Sequence, residues 1–486
     1  MDNGHYSRIA RVCAAFWRCL NGQASAGRSV KRRGVALLLV LTYVAVMTST
    51  VLSGFLNSQV SFSISANVRD DLKAYYKAKS ALNLGRLMLT YQYELEQDEF
   101  FGQRLKKSNF QLYQILDLLL TPFKTGIVSV DVPNANHTIA SYNLREAGVD
   151  AMGDESGDFN VHVVPEAGRI NLNKFAKGAT QKDIYELCML VANSEFDELF
   201  NARASFGSKR LSRMEQIAAL IDWVDSDSEK TYINNDCVLE EASGDESSLY
   251  VDQRKNYKVK NAKFTTLDEL FEVAGFGDDL MEAFGETFTV YPVERINVNL
   301  ASAKLLYTVL CNAVERDNAG SDSKIWACSD PTVGASLLGL AMALEGYQQF
   351  VSNPMNLLYL YTVENETSVI PGVVPNGTVV PFRNVSEFYK VVKALISDSE
   401  LLPKFLLYSP TAYIMFGDKI LTMTAGGLGL SSLKFNTTQL YANITTASPR
   451  VFRVVATGEY GGTKRTLTTV MDFNVTGGQY LYWREY

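Results

Sequence analysis

Histidine is scarce in this chain. Its 486 residues hold three, His5, His137 and His162, and none sits in sequence beside a plausible Ser or Cys nucleophile. There is no phosphate-cradling P-loop and no HExxH pair. The phosphate-binding and metalloprotease routes are therefore without sequence support, and an enzyme is not expected. The six cysteines form no CxxC pair, which argues against structural zinc. Cys13 and Cys19 fall near the start, whereas Cys188, Cys237, Cys311 and Cys328 come much later. A disulfide such as Cys311–Cys328 in an oxidising compartment and isolated buried thiols are both open readings. Positive charge is short after residue 34. The first 34 residues hold seven Lys/Arg against one acid, a net of +6, so a chain of net −7 carries −13 on the remainder. Nucleic acid is a poor partner for so acidic a body.

Charge of either sign is missing from Val35 to Val68. The run Val35-Ala-Leu-Leu-Leu-Val-Leu-Thr-Tyr-Val-Ala-Val-Met47 is densely apolar and stays mostly so to Leu56, about the 20 residues that cross a bilayer. It is the one such stretch, so a single pass is expected, with the basic head on the cytoplasmic side. The run starts abruptly after Lys31-Arg32-Arg33-Gly34, and the Gly precedes the apolar stretch, where an ordinary secretory leader is cut after it. Cleavage between Gly34 and Val35 would remove the head and keep the apolar helix. Beyond the span, Ala66, Val68, Leu72, Tyr75, Tyr76, Ala78, Leu82, Leu87 and Leu89 recur mostly at three- and four-residue steps, which predicts one long helix from about Val35 to Tyr93.

What is present further on divides by periodicity. Alternation predicts strands at Gly126–Asp131, His137–Asn143 and Asp158–Val164. Helical spacing follows at Asp183–Phe200, Arg213–Trp223, Leu267–Val273, Asp279–Phe284, Ala303–Val314, Ser336–Phe350 and Val385–Ile396. Strands resume near Tyr413–Phe416 and close the chain at Val451–Ala456, Thr466–Asp472 and Tyr480–Trp483. The order strand, helices, strand implies an α+β fold with a mainly helical domain inserted into an antiparallel-sheet domain. A short repeat, Arg169-Ile-Asn-Leu-Asn173 and Arg295-Ile-Asn-Val-Asn299, precedes a helix each time, with the second Asn expected as N-cap. Leu267–Gly277 followed by Asp278 and Asp279 resembles a helix-hairpin-helix element. Its two leading acids would repel phosphate, and structural packing is the preferred reading.

Nine acids, Asp222, Asp225, Asp227, Glu229, Asp236, Glu240, Glu241, Asp245 and Glu246, crowd one stretch. Asp225, Asp227 and Glu229 alternate as oxygen ligands round a hard cation often do. The required Gly of an EF-hand is missing, and a solvated acidic loop is the plainer reading.

Taken in order, several pieces resemble the K-class minor pseudopilin of bacterial type II secretion. They are Arg33-Gly34-Val35-Ala-Leu-Leu38; Asp154-Glu-Ser-Gly157; Glu166-Ala-Gly-Arg-Ile-Asn-Leu-Asn173; Ala219-Leu-Ile-Asp-Trp-Val-Asp-Ser-Asp227; Gly244-Asp-Glu246 with Tyr250; Lys260-Asn-Ala-Lys-Phe264; Leu267-Asp-Glu-Leu270; Ile296-Asn-Val-Asn299; and Leu481-Tyr-Trp-Arg-Glu485. The departures are a long leader and a longer loop between Asp227 and Gly244. The resemblance implies a non-enzymatic subunit at the pseudopilus tip that helps export folded proteins across the outer membrane. It implies I- and J-class pseudopilins, the inner-membrane assembly platform and prepilin peptidase as partners. It implies processing at Gly34/Val35. The fifth mature residue would then be Leu39, where most pilins have Glu, and that loss is characteristic of the K class. It implies Ca²⁺ held by Asp225, Asp227, Glu229 and Glu246. The matching organisation is a leader at 1–34, the membrane part of the helix at 35–56, a pilin-like α/β domain at 57–174 and 406–486, and the helical insertion at 175–405. The bulk of the chain would lie in the periplasm. The alternatives are a minor pilin-like subunit of a type IV pilus or DNA-uptake machine, and a DNA-binding anchor using the Gly275–Gly277 hairpin.

Overall fold

The computed structural model describes residues 32–99, 102, 111–116, 120, 124, 127–131, 138–143, 157–202, 205–206, 209–240, 244–250, 258–315, 328, 330–352, 381–398, 400–417, 420, 430, 433–475 and 477–486. The expected leader lies outside them, except for its last three residues. The chain divides into two units, residues 1–70 and 71–486.

The first unit is the opening of helix α1 (Arg32–Gln97). Every residue from Val35 to Ser65 is exposed. Among the described residues this is one helix long and apolar enough to cross a membrane. Its hydroxyls are turned back onto the backbone: Thr42 donates to the Leu39 carbonyl (2.9 Å), Thr48 to Val44 (2.7 Å), Thr50 to Met47 (2.9 Å) and Ser53 to Thr50 (3.0 Å). Such internal pairing is what hydrocarbon surroundings require of a polar side chain.

In the second unit, the rest of α1 is followed by β1 (Ile127–Asp131) and β2 (Thr138–Asn143), an antiparallel pair, then β3 (Phe159–Pro165) and β4 (Ile170–Asn171). Next come α2 (Gln181–Val191), α3 (Asp197–Ala202), the short pair β5 (Ser205–Phe206) and β6 (Lys209–Arg210), α4 (Arg213–Val224), and the small hairpin β7 (Tyr232–Ile233) and β8 (Leu239–Glu240). Then follow α5 (Asp278–Phe284), β9 (Phe288–Thr289), β10 (Ile296–Asn297), α6 (Ala303–Ala313), β11 (Val314–Glu315), α7 (Pro331–Ser352), α8 (Val385–Ser397), α9 (Leu401–Leu406) and α10 (Pro410–Phe416). The chain ends with β12 (Lys434–Phe435), α11 (Thr437–Asn443), β13 (Ile444–Thr445), β14 (Val451–Tyr460), β15 (Thr463–Asp472) and β16 (Gln479–Glu485). The α+β class read from the sequence is the one observed.

The main sheet has the order β16-β15-β14-β3, antiparallel throughout. The β14–β15 turn is Gly461-Gly462, both at positive φ (57° and 83°), the conformation a two-residue hairpin needs. One face of the sheet carries Phe159, Val161, Val454, Ala456 and Leu467, and on it lie Ala78, Ala81, Leu82 and Leu89 of α1. The approach is close. A Cβ on Gly458 would stand 2.2 Å from the Ala74 carbonyl oxygen and 2.4 Å from the Ala78 nitrogen. Small residues on both partners therefore set the distance. Polar clamps border this contact: Arg465 with Asp71 (2.7 Å), Lys73 to the Tyr460 hydroxyl (2.7 Å) and Arg86 to the Gly477 carbonyl (2.8 Å). At its far end Glu96, 3% exposed, accepts from Gln92 (2.7 Å) and from Arg450.

The larger apolar core is helical, drawn from α2, α4, α6, α7, α8 and α9. Two of its features correct the sequence reading. Tyr413–Phe416 is not a strand but the end of α10, opened by Ser409 as N-cap with Pro410 in the first turn. In the R-I-N-φ-N repeat the first Asn, not the second, closes the local turn. Asn171 Oδ1 accepts from Asn173 N–H (2.9 Å), and Asn297 Oδ1 from Asn299 N–H (3.0 Å). The second Asn clasps a distant backbone instead. Asn173 exchanges bonds with Phe264 (N–H to Oδ1 2.7 Å, Nδ2 to O 3.0 Å), and Asn299 does the same with Phe382 (2.8 and 2.9 Å). Each Ile-Asn pair also forms a parallel bridge, β4 with β9 and β10 with β13. In the Gly275–Gly277 turn a Cβ on Gly275 would meet Gln216 at 2.9 Å, whereas one on Gly277 would meet nothing within 4 Å.

Candidate metal centre

Helix α4 starts on a capping box. Ser212 Oγ accepts from Glu215 N–H (3.2 Å), and Ser212 N–H donates to Glu215 Oε2 (2.8 Å). Its nine residues from Gln216 to Val224 are all buried, so Asp222 is carried inward between Ile221 and Trp223. Asp225 ends the helix in an extended conformation, its N–H bonded to the Ile221 carbonyl (3.0 Å). Glu246 opens a single 3₁₀ turn, Glu246–Leu249, capped by Asp245.

These three elements bring the carboxylates of Asp222, Asp225 and Glu246 together, one oxygen of each within 4.8 Å of the others. Their exposures are 1%, 4% and 1%. Asp222 Oδ1 accepts from Thr231 N–H (2.8 Å). Asp222 Oδ2, Asp225 Oδ1, both Glu246 oxygens and the Asn261 amide oxygen are buried without a hydrogen-bond partner. Burial pushes Asp222 up to about 6, against the Thr231 bonds and the Lys230 charge, with the Asp227 charge the smallest contribution. Burial, then the charges of Asp227 and Asp222, pushes Asp225 to about 7. Burial, then Asp222 and Asp225, pushes Glu246 to about 8. Unpaired buried carboxylates are costly. A divalent cation would remove both the repulsion and the orphaned oxygens, and the all-oxygen donor set suits a hard ion. The residues fit.

The sequence-derived ligands fare unequally. Asp225 and Glu246 are in the cluster. Asp227 is exposed at its edge, its Oδ1 accepting from Glu229 N–H (2.9 Å) and its carbonyl accepting from Asn261 Nδ2. Glu229 is exposed and outside the group of three, and its backbone bridges Asp245. Asp222 and Asn261 were the residues missed. Asp222 had a signal: it is an acid within the apolar run Ala218–Val224, three residues before Asp225 and so on the same helical face. Asn261 betrays itself only in the backbone, at φ 47°. Gly34 lies in the first turn of α1, and Val35 is exposed.

No family model matches the chain, and no curated protein matches it. Among solved structures it is similar to a chain of the GspK-GspI-GspJ complex of the type 2 secretion system from enterotoxigenic Escherichia coli. The identity is 12%, the TM-score 0.40, and the match covers 87% of this chain and 99% of that one. The functional reading rests on this chain's own residues.

Proposed function

We propose that this chain is a membrane-anchored K-class minor pseudopilin of a type II secretion system, a structural subunit and not a catalyst. One observation carries the reading. Helix α1 begins at the basic Arg32-Arg33-Gly34 junction, runs uncharged and exposed over Val35–Ser65, and then beds its Ala74–Leu89 stretch on the antiparallel sheet. That is the construction of a subunit whose apolar helix survives maturation and whose body is borne on the other half of the same helix. Prepilin peptidase removes residues 1–34, the helix stays in the inner membrane, and the acidic body lies in the periplasm. Leu39 at the fifth mature position leaves the subunit without the acid that docks onto a neighbour above it, which suits a tip position with I- and J-class partners below. Ca²⁺ at Asp222, Asp225 and Glu246, with the Asn261 oxygen beside them and Asp227 at the edge, fixes the loop that follows α4.

N-terminal sequencing of the protein extracted from bacterial membranes tests the route. A first residue of Val35 is expected. A mature chain starting at Met1, or one lacking residues 35–56, would overturn it.

A further inference from the structure

The ligands Asp225 and Glu246 are joined by an excursion whose described residues, 226–240 and 244–245, form a thin hairpin, with a Glu229–Asp245 bridge and a Lys230 N–H to Gly244 carbonyl bond (3.2 Å) at its base. Strands β7 and β8 are two residues each, and a short isolated hairpin is marginal in water. Tyr232, Val238 and Leu239 are exposed on it at 48%, 37% and 41%, and among its described apolar side chains Ile233 and Cys237 are the ones buried in the helical core. It is held from behind. Cys237, in its turn at φ 59°, an uncommon conformation for a side chain with a Cβ, is disulfide-bonded to Cys188 of α2. Gln181 at the start of α2 grips the same turn, Nε2 donating to the Cys237 carbonyl (2.6 Å) and Oε1 accepting from Leu239 N–H (3.0 Å). Both cysteine sulfurs touch the Met214 sulfur (3.7 and 3.4 Å) in the first turn of α4, the helix that carries Asp222. Immediately before β7, Thr231 N–H donates to Asp222 Oδ1 (2.8 Å). An unbroken path therefore runs from the sulfur bridge through β7 to a carboxylate of the cluster.

We infer that the Cys188–Cys237 bridge preorganises the cation site, so that the cation and the disulfide stabilise one another. The inference rests on the cation reading above. Coupling between two binding or bonding events is reciprocal. If the closed excursion is the form that assembles the three carboxylates, a bound cation must also keep the bridge closed against reduction. Reduction needs the excursion to lift, because Cys188 and Cys237 are both fully buried. The second bridge, Cys311–Cys328, is also buried but joins α6 to residue 328 and, among the described residues, shares no hydrogen bond with the cluster, which makes it an internal control.

The full-length chain in detergent is treated with dithiothreitol, which is oxidised to its cyclic disulfide as each cystine takes up two electrons and two protons. Aliquots with Ca²⁺ or with chelator are alkylated, and each cysteine is followed by peptide mass spectrometry. Ca²⁺ is expected to slow opening of Cys188–Cys237 by roughly tenfold and Cys311–Cys328 by less than about twofold. Equal slowing of both bridges would mean that Ca²⁺ acts only on global unfolding, and would overturn the inference. So would an unchanged Cys188–Cys237 rate in a sample whose melting temperature Ca²⁺ raises, and there the cation site itself would stand. No Ca²⁺ effect on either rate or melting would remove the cation site and the inference together. As a second measurement, calorimetric Ca²⁺ titration of the C188S/C237S chain is expected to give a Kd weaker by roughly tenfold, with C311S/C328S within about twofold of the parent. Equal affinities in the two variants would overturn the coupling.

Discussion

A carboxylate at 1% exposure with neither oxygen hydrogen-bonded, as in Glu246, keeps its charge readily only beside a cation. In the cation-free chain the folded pKa values of Asp222, Asp225 and Glu246 are raised to about 6, 7 and 8. A carboxyl raised on folding favours the fold while protonated. That contribution is complete below the unfolded value near pH 4 and is lost as pH climbs through the folded values. The melting temperature without cation should therefore fall from pH 5 to pH 8, and saturating Ca²⁺ should abolish the fall because it binds the deprotonated oxygens. Equal profiles with and without Ca²⁺ would dismiss the site. Asp222→Asn should raise cation-free stability at pH 8 by roughly 1–2 kcal/mol and remove most of the Ca²⁺-induced rise in melting temperature. The acidic stretch was legible in the sequence, but its geometry was not. Alternation pointed to Asp227 and Glu229, whereas the fold selects acids by which side of a buried helix end they occupy.

At the scale of elements, the sheet strands and most helices could be read from period, although α4 is buried all along Gln216–Val224 and β16 is mostly exposed. One exception, Tyr413–Phe416, has a run of strand-favouring side chains, but the Ser409-Pro410 start decides for helix. The expected helix Asp183–Phe200 is also interrupted, by residues 192–196 between α2 and α3, with Asn193 capping the turn there. The expected helix Leu267–Val273 is 3₁₀ and not α. The Asn clasps were invisible because their partners, Phe264 and Phe382, are 91 and 83 residues away. Asn299→Ala should leave the Phe382 N–H and carbonyl without their partner and cost about 2 kcal/mol in denaturant unfolding, while Asn299→Asp, which keeps the acceptor, should cost less. Gly458→Val drives side-chain carbon into the backbone of α1 and should cost about 3 kcal/mol. A variant as stable as the parent would show that helix and sheet do not pack at this distance.

For the molecule as a whole, the proposed membrane anchorage rests on the apolar opening of α1. Val46→Arg near the middle of residues 35–56 should oppose insertion by roughly 3 kcal/mol and shift protein from the carbonate-resistant membrane fraction to the soluble one, whereas Val46→Leu should not. Unchanged partitioning of the arginine variant would mean that another segment anchors the chain. The one helix among the described residues that is long and apolar enough to cross a membrane was plain in the sequence, because length and apolarity are what such a helix needs.

The inward-turned hydroxyls of Thr42, Thr48, Thr50 and Ser53 have a consequence for assembly. On the proposed membrane-anchored reading, a neighbouring apolar helix would meet four hydroxyls already bonded to their own backbone and, at position 39, a leucine. Fit between bumps and hollows would then weigh more than hydrogen bonding along this stretch, and the register between subunits would be set by surfaces outside the lipid.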